Sequence, residues 1–129
     1  MPDNEFTGLS QIRQIAITIQ DLDRAVKFYR DTLGMRFLFQ APPSLAFFDC
    51  GGIRLMLSPP DKPGEHYSSI LYYKVDNIQE AHRALLSRGV EFGSAPHMIA
   101  KLPDHDLWLA DFRDSEGNLL ALMSEVRER

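Results

Sequence analysis

The strongest constraint on the fold of this chain of 129 residues is a pattern that it contains twice. The segment TIQDLDRAVKFYRDTLGM, residues 18–35, resembles KVDNIQEAHRALLSRGV, residues 74–90, and with one residue deleted Gly34 matches Gly89. Each copy predicts a strand, a capping residue, an amphipathic helix and a glycine at the left-handed position that ends the helix. A repeat of this kind indicates that the chain is built from two similar units.

The segments that follow the two helices repeat as well. The stretch LAFFDCGGIRLMLS, residues 45–58, matches LADFRDSEGNLLALMS, residues 109–124, and each predicts two strands joined by a four-residue turn. A further short strand is predicted after each helix, at residues 36–40 and 90–92. Each copy is therefore predicted to be a βαβββ module.

The resulting fold class is α+β, with one domain over residues 1–129. We expect module one at about residues 10–58, a proline-rich linker at about 59–67 and module two at about 68–126. The helix would cover one face of each sheet, and the two modules would form a curved, barrel-like mixed sheet around a cavity. The periodicity by itself is also compatible with a ferredoxin-like sandwich.

Composition excludes several classes of function. The formal net charge of −4 and the absence of a basic stripe argue against nucleic acid as the main partner. No apolar run approaches the roughly 18 to 20 residues that span a bilayer, so no membrane segment is expected. Residues 1–11 are polar and acidic, unlike a secretory signal. The single cysteine, Cys50, cannot form an internal disulfide, which favours the cytoplasm.

Taken together, the two strand–helix–glycine units and the closing turn DSEGNLLAL resemble the glyoxalase, bleomycin-resistance and extradiol-dioxygenase superfamily, which has the vicinal oxygen chelate fold. The resemblance covers about residues 10–126 and is carried also by DLDRAVKFYRDTLGM and VDNIQEAHRALLSRGV. It implies a homodimer and a cavity that holds a small molecule. Members include lyases, epimerases, dioxygenases and metal-free antibiotic-binding proteins, so the fold does not decide the function.

The resemblance also implies four strand positions that hold a divalent metal in the enzymes. Here they correspond to Gln14, Met56, Ile70 and Ala121, and strand alternation places all four on the face away from the helices. Only the amide of Gln14 could ligate a hard divalent ion, because Met56 is a soft thioether and the other two side chains carry no donor. We therefore expect no cofactor, although a divalent metal stays possible.

Other residues are candidates for ligand contact, each with a structural alternative. His97 and His105 could form a displaced metal site or a ligand-binding pair, or could simply lie in a loop or edge strand. Trp108 could form the floor of an apolar pocket or pack in the core. Arg54 could point inward toward an anion or lie at the rim or a dimer contact. The predicted ligand-binding residues are Gln14, Arg54, Met56, Ile70, Tyr72, His97, His105, Trp108 and Ala121.

These residues favour a metal-free protein that binds a small molecule, of the sequestration or resistance type, with an apolar cavity. The alternative is a lyase, isomerase or dioxygenase of the same superfamily that uses a displaced metal site or a metal-free mechanism. If the protein is an enzyme, a lyase similar to lactoylglutathione lyase or a dioxygenase is expected, with catalytic residues that the sequence does not identify. A third possibility is a module whose cavity is filled by its own side chains, such as Leu119 and Met123.

Overall fold

The computed structural model describes residue 6 and residues 8–127, and within them it has two helices and two four-stranded sheets. The N-terminal residues 1–5, part of the segment that argues against a secretory signal, lie outside this range. The elements are β1 Gln14–Thr18, α1 Leu22–Lys27, β2 Arg36–Ala41, β3 Leu45–Cys50, β4 Ile53–Ser58, β5 Leu71–Lys74, α2 Ile78–Ser87, β6 His97–Lys101, β7 Asp106–Arg113 and β8 Leu119–Val126. A π-helical turn at Phe28–Thr32 continues α1.

The two sheets have the same topology, which confirms the two βαβββ modules. The first sheet has the order β1-β4-β3-β2 and the second β5-β8-β7-β6, and in each one the first and last strands of the module pair in parallel. The sheets are not closed into a barrel, since no strand pair joins them anywhere in the described chain. The predicted barrel-like sheet is therefore two separate open sheets.

The short strand predicted at residues 90–92 is wrong. Val90 is buried in the core and Phe92 makes an isolated bridge to Phe112, while the third strand of the module is β6. Gly93 and Pro96 interrupt the chain between them, and proline has no amide hydrogen for a strand pair. The matching prediction in module one, at residues 36–40, is confirmed by β2.

The helix caps form as the sequence predicts. The side chain of Asp21 accepts a hydrogen bond from the amide of Arg24 at 3.0 Å, and that of Asn77 accepts one from the amide of Glu80 at 3.0 Å. Each helix then packs an apolar face on its sheet. The residues that meet the helices from β1, from the position just after it, and from β4 and β8 are almost fully buried, namely Ile17, Ile19, Leu55, Leu57, Leu120 and Leu122. The faces of both sheets that turn away from the helices are consequently left for other contacts.

The turn between β7 and β8 joins module two to module one. The hydroxyl of Tyr29, in module one, is buried and donates to Oδ2 of Asp114 at 2.7 Å. Oε1 of Glu116 accepts from the amides of Gln20 and Asp21 at 2.8 and 2.9 Å, and Oε2 accepts from Nε of Arg24 at 2.7 Å. These contacts fix how the two modules pack against each other.

No helix within the described residues is long and apolar enough to cross a membrane.

Candidate ligand-binding site

The outer face of the first sheet, the one turned away from α1, brings Gln14, Arg54 and Met56 together. Gln14 lies opposite Arg54 in the parallel pair β1–β4. Nε of Arg54 donates to Oε1 of Gln14 at 2.8 Å, and Nε2 of Gln14 points at the sulfur of Met56 at 3.9 Å. The amide oxygen of Gln14 therefore already accepts a charge-assisted hydrogen bond.

Two phenylalanines extend this face on the neighbouring strands. Phe47 lies directly opposite Met56, and its ring stacks on Phe39 with centroids 4.7 Å apart. The guanidinium of Arg54 lies over the Phe47 ring, 5.5 Å from its centroid, which is within the range of a cation–π contact. The next residue of β3, Phe48, is fully buried in the core, so Phe47 and not Phe48 lies on the outer face.

Arg54 is thus oriented by neutral groups. It is half-buried, and no carboxylate pairs with it among residues 8–127. A guanidinium has five N–H donors, and only Nε is taken by Gln14. The remaining donors can meet an anion or another hydrogen-bond acceptor that lies against the aromatic pair. Both readings of Arg54, at a ligand and at a rim, are compatible with this arrangement.

The outer face of the second sheet forms a shallow cavity of about 220 Å³. Four of the predicted residues line it, and two of these, Ile70 and Tyr72, are 46% and 52% exposed. The residues that define it on all four strands and the adjoining loop are Ile70, Tyr72, His97, Leu109, Asp111 and Ala121. This face is mostly apolar and carries one acid and one imidazole.

The carboxylate of this cavity, Asp111, was not among the residues that the sequence singled out. It lies directly opposite Ala121 in the pair β7–β8, and Ser94 donates its hydroxyl to Oδ1 of Asp111 at 3.1 Å. Gly93 donates its amide to the Asp111 carbonyl at 2.9 Å, and a Cβ at Gly93 would lie only 2.7 Å from Oδ2 of Asp111. Strand alternation could have revealed it. Phe112 is buried, so the side chain of its neighbour Asp111 points to the opposite, outer face of the sheet.

The two candidate histidines are not brought together. His97 begins β6 and lines the cavity, whereas His105 lies in the turn after β6, where its Nδ1 is 2.8 Å from Oδ1 of Asp104. The four residues of β6 that follow His97, at a rise of about 3.3 Å per residue, lie between them together with the first residues of the turn. A single ion cannot bridge that distance, so the structure does not assemble the predicted pair.

Trp108 packs in the core and does not form the floor of a pocket on the outer face. It lies on the side of β7 that carries Ala110 and Phe112, both fully buried, and it packs against the hydrophobic core. Its ring is therefore turned away from the outer face that carries His97 and Asp111. On the first sheet, Phe47 is an aromatic side chain of the outer face.

The two outer faces are distinct. The cavity at Ala121 takes its lining from module two alone, and Gln14 does not line it.

The sequence of residues 11–122 matches the model of the Glyoxalase/Bleomycin resistance protein/Dioxygenase superfamily. The chain belongs to this superfamily. A relative is the uncharacterized protein YraH of Bacillus subtilis (strain 168), 26% identical over 87% of this chain and 96% of that protein.

Solved structures of superfamily members are similar over nearly the whole chain. One is a superfamily member from Sphaerobacter thermophilus DSM 20745, with 26% identity, a TM-score of 0.74 and coverage of 91% of this chain and 98% of that one. Another is TnmS3, an antibiotic binding protein from Streptomyces sp. CB03234, with 20% identity, a TM-score of 0.73 and coverage of 93% and 99%. At this identity the second likeness concerns the fold alone.

The residues at the four positions that the superfamily's enzymes use for a metal do not fit a hard divalent ion in this member. The only oxygen donor, that of Gln14, already accepts from Arg54, and a cation placed there would meet the positive guanidinium. Met56 offers a thioether, and Ile70 and Ala121 offer no donor. Elsewhere in the part of the chain that the structure describes, no group of three or more histidine, cysteine or acidic side chains comes together.

Proposed function

We propose that this superfamily member binds and sequesters a small planar molecule without a metal. The observation that carries the proposal is the hydrogen bond from Arg54 to Gln14. The amide oxygen of Gln14, which could otherwise ligate a metal, holds the guanidinium of Arg54 in place. A guanidinium fixed in this way favours an anionic or acceptor group on the ligand. The printed description of TnmS3 as an antibiotic binding protein gives a precedent for such a role on this fold.

The first sheet also suggests the shape of the ligand. Phe47 stacks on Phe39 and has the Arg54 guanidinium over its ring, so a flat aromatic ligand can pack against the exposed edge of this stack while its acidic substituent meets the guanidinium. On the second sheet, Tyr72 and His97 add amphipathic contacts at the edge of an apolar cavity. We therefore expect an aromatic carboxylate or sulfonate to bind better than a cation of the same shape.

We further propose that the working form is a homodimer. The apolar side chains of Ile70 and Tyr72 are about half exposed on the outer face, and Met98 and Ile99 of the edge strand β6 are 47% and 51% exposed. A second copy would cover this surface and bring the half-site of module two close to that of another module. A cytoplasmic location belongs to the same proposal and rests on the single Cys50.

The proposal is tested by calorimetric titration of the protein with 2-naphthoate and with 1-naphthylmethylamine, before and after treatment with EDTA. Binding of the naphthoate that is saturable, unaffected by EDTA and at least about tenfold weaker in Arg54→Ala is expected. Phe47→Ala should weaken it as well, and Arg83→Ala, an exposed arginine of α2, is the matched control. Equal affinity for the amine, or binding that requires a divalent metal, would refute the proposal.

One observation favours an enzyme as the second candidate. Asp111 stands beside Ala121 and shares a cavity with His97, so a carboxylate and an imidazole could move a proton on a substrate without a metal. This candidate predicts turnover of a hemithioacetal that Asp111→Asn abolishes and EDTA leaves unchanged. Failure to detect turnover with the wild-type protein, together with tight naphthoate binding, decides for the binding protein.

A further inference from the structure

The chain that leads into β1 carries a row of exposed apolar side chains. We call Phe6 together with residues 8–12 the N-terminal segment; its residues 8–12 belong to no helix or strand. Leu9 is 94% exposed and Phe6 is 77% exposed, and Ile12 is exposed as well. Single exposed apolar residues are common on protein surfaces, but these three recur at intervals of three residues. In a polyproline II conformation, which has three residues per turn, they would form one continuous apolar edge.

Arg13 fixes the end of this segment at the edge of the first sheet. The amide of Arg54 donates to the carbonyl oxygen of Arg13 at 2.8 Å, and Nη1 of Arg13 donates to the carbonyl oxygen of Gly52 at 2.7 Å. Within the segment, Gly8 has a φ of +118°, which side chains of L residues rarely permit. The chain therefore has a fixed end at Arg13 and a position at Gly8 where its direction can change.

The distance across the outer face of the first sheet follows from the strand register. The register joins one row of outer-face residues across all four strands, namely Ala16, Met56, Phe47 and Phe39. Ile12 lies four residues before Ala16, so Phe39 is three strand spacings across the sheet and four residues along it from Ile12. With about 4.8 Å between strands and about 3.3 Å per residue, this diagonal measures about 20 Å.

The N-terminal segment has the length of this diagonal. Phe6 lies six residues before Ile12, and six residues of polyproline II cover about 19 Å at about 3.1 Å each. Phe6 can therefore reach Phe39, which is 46% exposed on the edge strand β2. Leu9 comes to the middle of the diagonal, near Arg54 and between β4 and β3.

We propose that the N-terminal segment is a strap that closes over the ligand on the outer face of the first sheet. This inference rests on the proposed function, because the bound ligand supplies part of the surface that the strap covers. In the closed form Phe6 packs against Phe39, and Leu9 covers the aromatic ligand beside Arg54. Closure removes apolar side chains from water and shields the ligand's acidic group and the guanidinium from solvent, which strengthens their attraction. The strap belongs to the same chain as the site, since Arg13 ties it to that sheet.

Titration with 2-naphthoate tests the strap through its exposed residues. Leu9→Ser should weaken binding about tenfold and Phe6→Ser several-fold, because the apolar cover over the ring is lost. Neither change should lower the melting temperature of the free protein, since both side chains are exposed. Leu86→Gln, at an exposed leucine of α2, is the matched control and should bind as the wild type does. Gly8→Pro, which fixes φ near about −65°, close to polyproline II, should bind at least as tightly as the wild type.

Nuclear Overhauser effects measure where the strap lies. With 2-naphthoate bound, the methyl protons of Leu9 should contact the ring protons of the ligand, and the ring of Phe6 should contact that of Phe39. Protein that mixes isotope-labelled and unlabelled chains distinguishes a strap of the same chain from an arm exchanged between two copies. Contacts between Phe6 of one copy and Phe39 of another would overturn the proposal.

The variants also separate failure of the strap from failure of the proposed function. If the wild type binds 2-naphthoate and Arg54→Ala weakens the binding, but Leu9→Ser binds as tightly as the wild type, the strap is refuted and the proposed function stands. If the wild type does not bind 2-naphthoate, both are refuted. A tenfold loss of affinity in Gly8→Pro would contradict the extended closed form.

Discussion

Nε of Arg54 donates a hydrogen bond to Oε1 of Gln14 at 2.8 Å, across a parallel strand pair that joins residues 40 positions apart in sequence. The contact changes the chemistry of the position at which the superfamily's enzymes place a metal ligand. A neutral oxygen that would face a cation in such an enzyme faces a fixed positive side chain here. The anion site that we propose on the outer face of the first sheet rests on this contact.

The first prediction concerns that pair. Gln14→Glu places a carboxylate against the guanidinium of Arg54 and neutralises its charge, because the two groups would form a short ion pair. We expect the affinity for 2-naphthoate to fall about tenfold while the melting temperature stays the same or rises slightly. Gln14→Met, which removes the hydrogen bond and keeps the charge, is the control and should lose less affinity. Tighter binding in Gln14→Glu would contradict the proposed anion site.

The second prediction concerns the contact between the modules. Tyr29→Phe removes the 2.7 Å hydrogen bond to Asp114 and leaves a buried carboxylate oxygen with one partner fewer. We expect the free energy of unfolding to drop by about 1 to 3 kcal/mol. Chemical denaturation measures it, and Tyr67→Phe, at a side chain that is 69% exposed, serves as the control with no expected change. Equal stability of the two variants would show that the buried bond contributes nothing.

The third prediction is a dependence of stability on pH. Burial tends to raise the pKa of Glu116, but hydrogen bonds from Arg24 and from the amides of Asp21 and Gln20 outweigh it and lower the pKa to about 2, below the ordinary value of 4.5. A carboxyl with a lowered pKa in the folded state stabilises the protein fully above the unfolded pKa. This contribution is lost as the pH falls from about 4.5 to about 2.

Thermal melts between pH 5 and pH 2 measure that loss. In Glu116→Gln the melting temperature should be lower at neutral pH and should fall less steeply over the same window. The exposed ion pair of Asp31 with Arg30 provides the comparison. In Asp31→Asn the melting temperature should fall with pH nearly as steeply as in the wild type. A slope in Glu116→Gln as steep as that of the wild type would assign the acid sensitivity to other carboxyl groups.

The fourth prediction concerns the close approach of Gly93 to Asp111. Gly93→Ala puts a Cβ within 2.7 Å of Oδ2 of Asp111, so the carboxylate that Ser94 holds must move. We expect a loss of about 1 to 2 kcal/mol in the free energy of unfolding, as for other overpacked sites. In an Asp111→Ala background the same change should cost almost nothing, and the double-mutant cycle measures the difference. Additive losses would mean that the two residues are not in contact.

The sequence allowed the repeated parts of the fold to be predicted. The alternation of apolar residues placed Gln14 and Ala121 on faces away from the helices, and short-range spacing identified the caps at Asp21 and Asn77. These features depend on neighbours within a few residues, so a periodic pattern is enough to find them. The strand predicted at 90–92 was wrong because an apolar, buried residue need not belong to a strand. Val90 packs in the core as a strand residue would, but from a segment that forms no strand.

The candidate site was predicted less completely, since its contacts join distant segments. The bond between Arg54 and Gln14, the approach of Gly93 to Asp111 and the separation of His97 from His105 all depend on strand register and on the path of a loop. Register cannot be deduced from one strand alone, because every strand offers the same alternation to any partner.

The sequence by itself therefore determined that the chain contains two βαβββ modules and which residues of each strand face the helices. Local periodicity, capping and glycine stops are sufficient for that. The tertiary structure alone decided that the sheets stay open, that Tyr29 meets Asp114 from 85 positions away and that a cavity lies where Leu33 and Met35 meet α2. Such features arise from packing between segments that are far apart in the chain, which no local pattern encodes.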